Sequence, residues 1–108
     1  MTTDRPETAI RGSIGGDPGA IAWIVEQAPG SDDPLIVTVA ALLAGSAREL
    51  DRAARLATSN RDRQIISIAR AHLGGDADLV DALARDHLVD HPDSIVVAWI
   101  AAGVDNAP

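Results

Sequence analysis

The sequence predicts an all-α protein built as stacked antiparallel helical hairpins, a single domain over residues 1–108 with about six to seven helices. Three observations predict it. Helix start and stop signals alternate along the chain at short intervals. Helix-ending glycines recur at a near-constant spacing. No segment sustains the apolar–polar alternation of a half-buried strand.

Taken in order, residues 4–14 suit one short helix. Asp17 and Pro18 supply an N-cap and a first-turn proline, opening a helix to about Ala28 that Pro29 and Gly30 stop. Asp33 and Pro34 repeat the start signal for Leu35 to Ala44, closed by Gly45. Ser46 and Glu49 have the spacing of a capping box and open a helix to about Ala57. Asn60 is placed to cap a helix through Leu73, ended by Gly74 and Gly75. Asp76 caps the next, to about Asp90, and His91-Pro92 begins the last, ended by Gly103. The glycines Gly15, Gly45, Gly74 and Gly103 fall 30, 29 and 29 residues apart. They divide the chain into repeat units of about 15–44, 45–73 and 74–103, followed by a polar tail, 104–108. The outer two units align: both open Gly-Gly-Asp, carry a mid-unit proline and close Ala-Gly.

Composition narrows the function classes. Apolar residues make up 46% of the chain, almost all of them small or aliphatic; Phe, Tyr and Cys are absent, and Trp23 and Trp99 are the only large rings. Without cysteine there are no disulfides, thiolate metal sites or cysteine nucleophiles. All nine basic residues are Arg and Asp far outnumbers Glu, a composition expected of a GC-rich bacterial genome. The net charge of −7 opposes binding to nucleic acid or to an anionic membrane. The first fourteen residues contain no apolar leader, and the longest apolar run, Leu35 to Ala44, is about half what a membrane span needs. A cytoplasmic protein is expected.

The stretch from Asn60 to Ser94 has a helix, a Gly75-Asp76 turn, a second helix and a close at Asp90-His91-Pro92. In this it resembles a tetratricopeptide-repeat hairpin. Residues 33–101 more specifically resemble the divergent repeats of the tetratricopeptide repeat protein 38-like group, through Arg61-Asp62-Arg63 before a helix, the Gly-Asp turn, and His87-Leu88 followed by His91-Pro92. The units here are shorter than that family's, the aromatic signature positions are empty, and His87 fills a small-residue position. The resemblance implies a right-handed superhelix of hairpins with a partner-binding surface, and brings no catalytic residues.

Candidate chemistry centres on the histidines. His72 and His87 would stand roughly 15 Å apart along one hairpin, too far to share an ion. His87 and His91, four residues apart, can point together, with Asp62 expected across from them on the facing helix; two imidazoles and a carboxylate suit zinc or a similar ion. The competing expectation is a core His87 satisfied by Asp62, with His91 a turn residue. The serines lack a nucleophile-elbow context, the glycines from Gly12 to Gly19 lack a phosphate-loop lysine, and a helix-turn-helix over 65–85 would press four aspartates against phosphates. No cofactor and no catalytic residue is expected.

Arg48, Arg52 and Arg55 share a helix face, which either meets water or an acidic partner segment. Residues 95–100, including Ile95, Trp99 and Ile100, are apolar all round. Either this last helix folds back into a closed bundle or a second molecule covers it. The expected function is a non-enzymatic protein–protein interaction module of unidentified partner, with a homodimer through the C-terminal helix as one form. The alternative is a small metal- or ligand-binding helical protein using Asp62, His87 and His91.

Overall fold

The computed structural model describes residues 5–103, with side chains from residue 8 onward. All regular structure in that span is helical: α1 (Arg5–Ile14), α2 (Pro18–Gln27), a 3-10 turn (Ala28–Gly30), α3 (Pro34–Ala44), α4 (Ala47–Leu56), α5 (Asn60–Leu73), α6 (Ala77–Asp90) and α7 (Ile95–Ala102). Among the described residues the protein is therefore all-α with seven helices, as expected.

The caps act where the sequence places them. Asp17 accepts from Ala20 N–H, Asp33 from Leu35 N–H, Ser46 from Glu49 N–H and Asp76 from Leu79 N–H. Two boundaries move. Ser59, not Asn60, caps α5, by accepting from Asp62 N–H. The last helix starts at Ile95 rather than at His91-Pro92, because the His91 N–H still closes α6 on His87 O and Ser94 N–H folds back to His91 O.

One turn recurs three times. Gly16, Gly45 and Gly75 have φ of 84°, 65° and 74°. In each case the following residue sends its N–H back five residues: Asp17 to Gly12 O, Ser46 to Ala41 O and Asp76 to Ala71 O. This is a left-handed helix C-cap whose last residue is also the N-cap of the next helix. It reverses the chain within two residues. It also explains why Ser46 and Glu49 form only half a capping box: the Ser46 N–H is already taken by Ala41 O.

These turns join the close pairs α1–α2, α3–α4 and α5–α6, and longer links separate the pairs. The odd-numbered helices also touch one another, α1 with α3, α3 with α5, α5 with α7, and α7 with α1. The stack thus closes on itself. The radius of gyration is 12.7 Å, against about 13 Å for a compact domain of this length. The core is aliphatic, with Ile24, Ile36, Val39, Leu50, Ile65, Ile68, Val97 and Ile100 all but excluded from water, while both tryptophans sit at its edge. Among the described residues, no helix is long and apolar enough to cross a membrane.

Two glycine substitutions separate backbone strain from crowding. A Cβ at Gly75 would meet nothing within 4 Å, so Gly75→Ala carries only the left-handed penalty, about 1–2 kcal/mol. A Cβ at Gly12 would lie 2.7 Å from the Ala20 Cβ, which cannot rotate away. Gly12→Ala is therefore expected to cost about 1–3 kcal/mol by forcing α1 off α2, despite its better helix propensity. Urea unfolding of both variants checks the pair.

Candidate functional site

His87 lies on the inner edge of α6 at 3% exposure, beside a groove of about 430 Å³ between α5 and α6. Its Nδ1 is 2.7 Å from Gln64 Oε1. With that oxygen accepting, Nδ1 carries the proton and Nε2 presents a lone pair, and Nε2 is buried without a partner. The His91 ring stacks on it, centroids 4.7 Å apart and tilted by 31°.

The expected Asp62 partner is a correction. Gln64 pairs with the His87 Nδ1, and the reason is angular: residues two apart on a helix point about 200° apart, so with Gln64 facing α6, Asp62 cannot. Height along the hairpin is right and azimuth is wrong. Among the described residues, no group of three or more His, Cys, Asp or Glu side chains is placed to hold a metal ion, so Asp62, His87 and His91 are not brought together as a ligand set.

Burial pushes the His87 pKa below its ordinary value of 6.5, and the positive charges of His91 and Arg61 push the same way; Asp90 pulls against them. The ring is neutral at neutral pH. Ser67 lines the same groove, but no hydrogen bond links it to His87, so no nucleophile–base pair forms.

The arginines on α4 divide. Arg48 and Arg55 are exposed. Arg52 turns back across the hairpin boundary: its guanidinium donates to Ala28 O, to Ser31 O at 3.2 Å and to Glu49 at 3.2 Å. It thereby closes the carbonyl end of α2, where a cation also meets the negative end of the helix dipole. Sequence reasoning missed this role. The available signal was the break at Pro29-Gly30, which leaves helix-end carbonyls in want of a donor.

On α7, Val96, Val97 and Ile100 are buried, Ile100 at 1% exposure, so Ile100 offers nothing to a partner. Ile95 and Trp99 are half-buried against the core, and Ala98, Ala101 and Ala102 are exposed. His72, on α5, is half-buried and stands apart from this arrangement.

No protein-family model matches the chain, no curated protein matches it, and no solved structure matches it.

Two measurements follow from these contacts. The folded state holds the His87 pKa below 6.5, so the unfolded state binds the proton first. Stability from this group is complete above that value and falls as the pH drops below it toward the folded pKa. Urea midpoints at about pH 7.5 and about pH 5.5 should therefore differ more for the native chain than for His87→Gln. Separately, Arg52→Met removes the side-chain donor to the Ser31 carbonyl and leaves the Ala28 carbonyl with the Ser31 N–H alone, and should cost about 1–3 kcal/mol in thermal or urea unfolding, whereas Arg48→Met should stay within about 0.5 kcal/mol.

Proposed function

We propose that this chain is a non-enzymatic protein–protein interaction module of tetratricopeptide-like type that pairs with a second copy through the outer arc of α7. The observation that carries the reading is the make-up of that arc. From Ile95 to Ala102, α7 has no charged or polar side chain, yet Ala98, Ala101 and Ala102 meet solvent and Ile95 and Trp99 are only half-buried. A helix that faces water on one side normally carries polar residues there. Small alanines flanking one tryptophan let a facing helix approach closely around an aromatic anchor.

The hairpin arrangement supports the same class. Three helix pairs, each reversed by the same left-handed glycine turn, give the regular helical surface that repeat modules present to partners. Tetratricopeptide-like kinship rests on the Gly75-Asp76 turn and the His87 to Pro92 segment, and the shorter units make it a divergent form. The acidic surface disfavours nucleic acid as the partner. The lack of cysteine suits a reducing cytoplasm.

The test is mass in solution by light scattering, for the native chain and for Ala98→Glu. Ala98 is exposed, so the substitution leaves the core intact. The expected result is twice the chain mass for the native protein and a folded single-chain mass for the variant. A native protein of single-chain mass across the micromolar range would overturn the pairing.

A further inference from the structure

The N-terminal ends of α3, α5 and α7 meet at one cavity. Asp33 at the start of α3, Arg61 at the start of α5 and Ser94 at the start of α7 line one cavity of about 480 Å³. Peptide N–H groups point out of each of these ends, and each end carries positive dipole charge. Two of the three are closed by their own side chains. Asp33 Oδ1 accepts from Leu35 N–H at 2.9 Å, and Ser59 Oγ accepts from Asp62 N–H at 3.1 Å.

The third is open. Ser94 holds the N-cap position of α7 but makes no capping bond. The residue is 2% exposed, and its hydroxyl has no hydrogen-bond partner. A buried, unmatched hydroxyl costs stability, and one at an uncapped helix start is a donor set without its acceptor. Arg61 adds a second element of the same sign. It is half-buried, lines the same cavity and makes no hydrogen bond or ion pair among the described residues, while its charge is felt at His87 as repulsion. Of the acidic groups at the wall, the Asp33 carboxylate is committed to its cap, and Asp93 is exposed at the rim. Arg11, exposed on α1, also lines the cavity and is engaged in an interaction of its own. The rest of the wall is aliphatic, including Ile10, Ile65 and Val96.

We propose that this cavity binds a small aliphatic carboxylate. The head group takes the N–H groups at the start of α7, the Ser94 hydroxyl and the Arg61 guanidinium, and the hydrocarbon lies along Ile10, Ile65 and Val96. One unpaired arginine and one uncapped helix suit a single negative charge, and Asp93 at the rim disfavours a dianion. Of the residues in the pairing arc, Ile95 alone also lines this cavity; Ala98, Trp99, Ala101 and Ala102 do not.

The test is a titration of the full chain with hexanoate, 1-hexanol and inorganic phosphate, read from the backbone amide resonances of Ile95, Val96 and Val97. Hexanoate is expected to shift these amides saturably at millimolar concentration, with hexanol and phosphate leaving them in place. Arg61→Gln should weaken hexanoate binding about tenfold, the scale of one charge-assisted hydrogen bond. Ser94→Ala should weaken it too while leaving the empty protein at least as stable, because it deletes an unmatched buried hydroxyl. Absence of shifts at these amides, equal shifts with hexanol, tighter binding of phosphate, or unchanged affinity in folded Ser94→Ala and Arg61→Gln would each overturn the proposal.

Discussion

The structure depends on burying α3. Seven successive residues, Ile36 to Leu42, are shielded from water, so this helix has no solvent face at all over two turns. Its single polar side chain in that stretch, Thr38, donates its hydroxyl to Pro34 O one turn back and so leaves no polar group unmatched. Fully burying each large aliphatic side chain contributes about 1.5–3 kcal/mol, and only a wrap from every side can do so. The wrap is supplied by α1, α2, α4 and α5, all of which pack on α3.

That demand explains the compact closure. An open array would leave the flank of α3 or α5 wet, and the two bulky aromatic side chains, Trp23 and Trp99, lie at the edge of the core rather than within it. Small side chains instead bring helices close: Ala41, Ala53 and Ala69 are wholly buried, and Gly12 allows α1 to approach Ala20 on α2. The left-handed glycine turn makes the hairpins tight enough for this, since it reverses the chain with no spare residue between the helix it ends and the cap of the helix it starts. α7 then fills the gap between α5 and α1, which commits Val96, Val97 and Ile100 inward, while Ala98, Ala101 and Ala102 on the opposite arc of the same helix stay exposed among the described residues.

The fold was legible because its signals are local. Asp17, Asp33, Ser46 and Asp76 cap within their own turn, and Gly16, Gly45 and Gly75 need a left-handed backbone that other residues resist; neither depends on what packs nearby. The site was less legible because its contacts cross between elements. Gln64 rather than Asp62 meets His87, a matter of azimuth that spacing along the chain does not settle. Arg52 looked like one member of a solvent-facing stripe until the end of α2 was placed beside it. For Ser94, only the assembled helix ends reveal that the hydroxyl is buried without a partner. The closure of α7 against α1 joins the first and last helices, the longest-range helix contact among the described residues, and the apolar run from Ile95 to Ile100 fitted either that or a second copy.

Native-state hydrogen exchange tests the central role of α3 most directly. The amides of Val39 to Leu42 are expected to exchange only through global unfolding, at a free energy equal to that of the whole chain, with the amides of α6 opening at lower energy. Exchange of the α3 amides at a free energy well below global stability, while those of α6 stay protected, would contradict the account.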